Sequence, residues 1–163
     1  MSNDNLYPAI IGSKNQPYYL SYFHRADARG YPPIAWHWPA FWIGLFWLLY
    51  RKQYRWALIY FIVPIAIVTL GSTADALLPG SGTAVVYGGL IGFQGIYFPL
   101  KANGIYYRWA RDAVASARAQ FPAQEDRQQE FLDRLGGVNS HLPFIIVGLL
   151  MLFSMLTSSI TPA

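Results

Sequence analysis

Residues 56–71 read WALIYFIVPIAIVTLG, and residues 84–100 read AVVYGGLIGFQGIYFPL; neither run carries a charge. A helix of 17 residues rises about 26 Å at 1.5 Å per residue. A hydrocarbon core is about 30 Å thick, so each run spans if it borrows a few uncharged neighbours. For the first, Ser72, Thr73 and Ala74 are available. Pro64 removes one of its helical hydrogen bonds and predicts a kink. A third run, LPFIIVGLLMLFSMLTSSI at 142–160, reads as another span, with Pro143 tolerated in its first turn.

Composition agrees with a bilayer. Across 163 residues, 54% are hydrophobic and only 12% charged. A soluble domain carries roughly 25% charged residues, so little is left here for a water-facing surface. Aromatics reach 17%, with 6 Trp and 12 Tyr, residues that favour headgroup depth. The net charge of +4 reads as topology and anionic-lipid contact, and no nucleic-acid partner is expected. With no Cys, disulfides and thiolate metal sites are excluded. The start is polar through Arg29 and lacks a charged n-region followed by an apolar stretch, which argues against a cleaved signal peptide.

The chain divides into four regions. Residues 1–33 form a polar, Tyr-rich leader broken by Pro8, Pro17 and Gly30, expected to be irregular with at most one short element. Residues 34–100 hold an aromatic segment and two spans. In the aromatic segment, IAWHWPAFWIGLFWLLY at 34–50, the uninterrupted apolar run after Pro39 is too short to cross. Trp38, Trp42 and Phe46 recur at helical spacing, so a re-entrant or interfacial helix starting near Pro39 is expected. A tilted full span from Ile34 is the rival. Residues 72–83 read as a loop. Residues 101–141 are polar and cytoplasmic, with turns at Asn103-Gly104 and Gly136-Gly137. Residues 142–163 hold the last span and a short tail. The fold expected is all-α: three transmembrane helices, one short re-entrant or interfacial helix, and a cytoplasmic helical segment.

Charge sets orientation. All Lys and Arg fall in the leader, in Arg51, Lys52 and Arg55, or between Lys101 and Arg134. The positive-inside rule then puts the N-terminus in the cytoplasm and the C-terminus in the periplasm, if 34–50 does not cross.

Several residues are candidates for contact. Gly88, Gly92 and Gly95 share a face of a regular helix, a small-residue pattern that allows close helix approach. They could pack on the chain's own spans, or on a homo-oligomer or membrane-protein partner. On a wheel of 105–118, Ile105, Tyr106, Trp109, Ala110, Ala113, Val114 and Ala117 oppose Tyr107, Arg108, Arg111, Asp112 and Arg118. That pattern suits a helix lying on membrane lipid with Trp109 inserted, or one packed on the protein. Trp38, Trp42, Trp47, Arg51 and Lys52 complete the expected lipid-contact set. After Pro122, AQEDRQQEFLDRL reads as a helix with a solvated charged face, an apolar patch of Phe131, Leu132 and Leu135, and Gly136 to end it.

No chemistry-bearing constellation emerges. His24, His37 and His141 form no set at metal-ligand spacing, and nothing resembles a nucleophile elbow or a phosphate loop. No catalytic, cofactor or metal residue is expected, and no enzyme activity. The spans lack interior ionisable residues, which argues against a coupled pump.

Residues 36–54, WHWPAFWIGLFWLLYRKQY, resemble the signature of a bacterial family of small membrane proteins catalogued as a domain of unknown function. The family's Trp-x-Trp, Ala-Phe and Trp-Leu-x-Tyr-Arg-Lys-x-Tyr features are present. KANGIYYR at 101–108 is similar to its Asn-x-x-Tyr-Tyr feature, and Gly136-Gly137 to its paired glycines. The likeness covers roughly residues 18–140, with His37 where the family often has Asn and Trp42 where it often has Phe. It implies a small membrane protein, brings no established activity or cofactor, and leaves function open. The functional expectation is an accessory or scaffold subunit of a larger membrane complex. A passive pore or transporter formed by oligomerisation, or a membrane enzyme, are the alternatives.

Overall fold

The structure is a computed structural model that describes residues 5–160, with side chains through 157. Residues 1–4 of the leader and the tail at 161–163 lie outside the described residues. Among those described, the elements are α1 (Tyr7–Ile11), α2 (Gln16–Arg29), α3 (Trp38–Tyr50), α4 (Tyr54–Leu77), α5 (Ser81–Leu90), a π-helical stretch (Ile91–Tyr97), α6 (Phe98–Gln120), α7 (Glu125–Leu135) and α8 (His141–Ile160). All are helical, and no strand occurs among the described residues.

Two helices are long and apolar enough to cross a bilayer: Tyr54–Leu77, and the continuous Ser81–Gln120. Only 11% of the most apolar window of each is buried in the protein, so neither is the core helix of a soluble domain. The 24 residues of α4 rise about 36 Å. The expected loop after residue 71 is mostly helix. Thr69, Ser72 and Thr73 turn their hydroxyls back to the carbonyls of Ile65, Val68 and Thr69, which lets polar residues stay helical. The chain reverses only over residues 78–80. There Asp75, the lone charge of that region, accepts from the N–H groups of Gly80 (2.8 Å) and Gly82 (3.3 Å) and so closes the start of α5.

The hairpin of α4 and α5 is a close crossing of glycines. A Cβ on Gly82 would sit 2.5 Å from the Gly71 carbonyl oxygen, and one on Gly71 would sit 2.3 Å from Val86. Gly89 faces Ile67 in the same way. Gly88 and Gly92 have nothing within 4 Å, and Gly95 meets only Ile91 of its own helix. The intramolecular reading of the Gly88, Gly92 and Gly95 face is therefore corrected. One residue of offset turns a helix by about 100°, so Gly89, not Gly88, meets α4. The π-helical turns from Ile91 also break the regular spacing on which that face was drawn.

Among the described residues, the leader is mostly helical. Pro8 and Pro17 occupy the first turns of α1 and α2, where a missing N–H costs nothing. Gly12 and Gly30 end them in left-handed conformations. Both helices then bury Tyr7, Ile10, Tyr19, Tyr22 and Phe23 against α6 and α7. The turn expected at Asn103-Gly104 is helix interior: both residues are buried, and a Cβ on Gly104 would lie 3.2 Å from Pro32. Its glycine admits a neighbour instead of reversing the chain. Most of the apolar half of 105–118 is likewise buried, with α1, α2 and α7 packed on this helix, while Trp109 stays half-buried. Leu132 of the α7 patch is fully buried with Phe131 half-buried, while Glu130 and Arg134 pair on the outside.

Candidate functional site

Helix α3 begins and ends on side chains that the rest of the site uses. At its N-terminus, the Nδ1 of His37 accepts from the Ala40 N–H at 3.1 Å, a side-chain cap. An accepting Nδ1 carries no proton, so the neutral ring donates from Nε2 to the Tyr19 hydroxyl at 3.3 Å. His37 also donates its backbone N–H to the Pro99 carbonyl, tying α3 to the start of α6. Burial, reinforced by the nearby Arg51 charge, lowers the His37 pKa to about 4.

At the C-terminus, Gln53 N–H bonds to Leu48 O and Lys52 N–H to Leu49 O, with Lys52 left-handed at φ 59°. This paired closure reverses the chain within two residues. It leaves Arg51 pointing into the protein, 1% exposed. Its Nη1 donates to Ile11 O (3.1 Å) and its Nη2 to Lys14 O (2.7 Å). The guanidinium lies 4.4 Å from the Tyr19 ring centroid and 5.3 Å from that of Tyr106. Its Nε is buried without a hydrogen bond, and no described carboxylate lies within ion-pair distance. Buried arginines are ordinarily paired with an acid, so this one is unusual.

Tyr19 joins the two ends. Its hydroxyl accepts from Trp47 Nε1 at 3.2 Å as well as from His37. Burial raises its pKa against the pull of Arg51, so it stays a hydroxyl whose own proton is left for another acceptor. Beside this network lies a cavity of about 620 Å³. Tyr18, Trp36, Trp38, Ile43, Phe46 and Phe144 supply apolar wall, from α2, the segment into α3, α3 itself and α8. Tyr19, His37 and Arg51 also line it, each almost wholly buried.

The Asn-x-x-Tyr-Tyr feature explains how α6 is held to this site. Asn103 Nδ2 donates to Tyr18 Oη at 2.8 Å, Tyr106 stacks beside Arg51, and Tyr107 Oη donates to Asp27, which also accepts from Tyr7.

The expected lipid-contact residues separate into three groups. Trp38 and Trp42 are exposed, at 61% and 73%, and remain available to lipid. Trp47 and Arg51 are internal, which corrects their placement at the interface: the reversal at Lys52 turns Arg51 inward, and Trp47 is held by Tyr19. Lys52 is tied to the Gly136 carbonyl. Arg108 and Arg111 are exposed, Arg118 is half-buried, and Trp109 stacks on Tyr106. Lys52, Arg108 and Trp109 meet Arg55 around a second, basic cleft of about 410 Å³. Sequence reasoning missed Tyr19 and the inward turn of Arg51. The available signal was a cation placed directly at the end of an apolar helix, one turn after a Trp.

A family profile described as a protein of unknown function (DUF2628) matches residues 24–111, just over half of the chain. The chain belongs to this family. The matched stretch runs from the middle of α2 into α6, and so includes His37, Arg51, Asn103 and Tyr107, but not Tyr19 or α8. No curated protein and no solved structure matches the chain.

Proposed function

We propose that this chain is a small bacterial inner-membrane protein that serves as an accessory or scaffold subunit of a larger membrane complex. Its spans would be α4, the α5 to π-helical stretch, and α8, with α3 re-entrant or interfacial. The observation that carries the reading is unfilled apolar surface. The hairpin uses Gly71, Gly82 and Gly89 on itself and turns Gly88 and Gly92 outward, where a helix from another membrane protein fits. Helix α8 adds a second free apolar surface, with Phe144, Leu149, Met151 and Phe153 all more than half exposed.

Topology has independent support. Helices α1 and α2 pack on α6 and α7, which supports placing both groups on the same side of the bilayer. An even number of crossings must separate them. Helices α4 and α5 provide two, and a full crossing by α3 would make three. The cytoplasmic N-terminus and periplasmic C-terminus then follow from the positive-inside rule. A homo-oligomeric pore is the second reading, favoured only by the same outward glycines.

The test is purification in mild detergent at native expression level, with identification of co-migrating proteins, for the wild type and Gly92→Leu. Loss of a distinct partner with the monomer intact supports the subunit. Loss of a homo-oligomer supports the pore. Wild-type protein that runs as a lone monomer rejects both. Reporters at residues 30 and 125 should score cytoplasmic and one after Ala163 periplasmic; a periplasmic score at residue 30 rejects the three-span topology.

A further inference from the structure

We propose that the cavity between α2, α3 and α8 binds a single-chain amphiphile with an oxyanion head, a fatty carboxylate or a lysophospholipid phosphate monoester, seated on Arg51 and Tyr19. Three features carry this beyond the subunit reading, on which it does not depend.

The first is a charge without a counter-charge. Arg51 is held by two carbonyls and by tyrosine faces, all of them dipoles or quadrupoles, and no described acid neutralises it. A guanidinium has five N–H donors, of which the carbonyls take two. Its Nε donor is free and buried. A carboxylate or phosphate presents two oxygens in the plane a guanidinium matches best. The second is the Tyr19 hydroxyl, which accepts twice and keeps one proton to give. His37 is neutral there and adds no second charge, so a single negative head balances the site.

The third is the shape and position of the remainder. At about 620 Å³, the cavity falls within the range of roughly 300–1,000 Å³ typical of ligand sites, and most of its wall is aromatic or aliphatic. Free phosphate would leave that wall empty; an acyl chain fills it. The wall residues Trp38, Ile43 and Phe144 are themselves more than half exposed, so the cavity adjoins the apolar surface of α3 and α8. A ligand can therefore enter from lipid without passing through water.

The experiment uses the full chain in neutral phosphatidylcholine nanodiscs, read by native mass spectrometry after ejection. The probes are oleate, oleoyl lysophosphatidate, neutral monoolein and inorganic phosphate. One oleate or one lysophosphatidate should be retained per chain, at least about tenfold above monoolein. Arg51→Lys, which keeps charge but loses the planar fork, should weaken retention about tenfold. Ser140→Trp, at an exposed lining position, should plug the cavity and abolish retention at unchanged melting temperature. If Arg51→Lys does not fold, the plug variant decides. Equal retention of monoolein, wild-type retention by Ser140→Trp, or phosphate binding as tightly as lysophosphatidate would each overturn the proposal.

Discussion

The hairpin of α4 and α5 and the cluster of α1, α2, α6 and α7 are both helical, yet they are held by opposite means. In the hairpin, the only residues of α4 and α5 that become fully buried are Ala57, Gly71 and Gly82, and backbone meets backbone. In the cluster, Phe23 touches Tyr7, Tyr19, Tyr106 and Tyr107, all buried, at ring separations of 5.0 to 6.4 Å. On the proposed membrane reading, a hairpin in lipid gains little from burying apolar side chains, since lipid is equally apolar, and so relies on close packing of small residues. A cluster that faces water gains from every large ring it hides. The structure divides the two regions at Tyr54 and Phe98.

The largest effect should separate the two regions cleanly. Phe23→Ala opens a cavity at the centre of the aromatic cluster and should cost about 3–5 kcal/mol, measured by denaturant or thermal unfolding in detergent. Phe61→Ala, on the exposed side of α4 at 59%, should change stability by less than about 0.5 kcal/mol. Similar losses at both sites would mean that Phe61 is also covered, and the division would fail.

Gly82→Val tests the hairpin in the other direction. The new Cβ would meet the Gly71 carbonyl oxygen, a backbone atom that cannot swing away. A loss of about 3 kcal/mol is expected, at the upper end of overpacking costs. Cross-linking between cysteines placed at the outer ends of α4 and α5 should fall with it. If Gly82→Val left both unchanged, the glycine crossing would not hold the hairpin.

Next in size is a dependence on pH set at the start of α3, beside the cluster. His37 has a pKa near 4 when folded and about 6.5 when exposed in the unfolded chain. Between those values the unfolded state binds the extra proton, so stability rises with pH. The His37 contribution is complete above about pH 6.5 and is lost as pH falls towards 4, to a limit of about 3 kcal/mol. His37→Asn keeps a side chain able to cap α3 but removes the titration. Its melting temperature should therefore fall less than that of the wild type between pH 7 and pH 4.5. Parallel curves would show that His37 does not sense the pH.

These contrasts also explain what was legible in sequence. The helices α3, α4, α7 and α8 were readable because uncharged length, helical spacing and first-turn prolines are local signals. The helices of the leader are hard to read because Pro8 and Pro17 look like breaks, although a proline's effect depends on where it falls in a helix. Asn103-Gly104 was misread for a related reason. A turn dipeptide and a helix contact both call for a small residue, and only Pro32, some seventy positions away, tells them apart. Arg51 was legible as a cation at a helix end but not as a buried one. Its direction depends on Lys52 adopting a left-handed conformation, which no residue type at that position announces.

The smallest expected effect compares two adjacent glycines. Gly88 and Gly89 are identical in chemistry and differ only in which side of α5 they occupy. Gly89→Leu would press on Ile67, whose Cγ2 lies 2.7 Å from an added Cβ. Because a side chain can yield where a carbonyl cannot, the loss should be about 1–2 kcal/mol, below that of Gly82→Val. Gly88→Leu meets nothing within 4 Å and should leave the isolated monomer within about 0.5 kcal/mol of wild type. It should be neutral or slightly stabilising in the helix, since leucine is the better helix former. Its effect should fall instead on association, read as a change in co-purifying partner or in oligomer size at equal monomer stability. A Gly88→Leu variant that lost monomer stability as Gly89→Leu does would show that the outward face of α5 already contacts the chain. The surface assigned to a partner would then be an internal one.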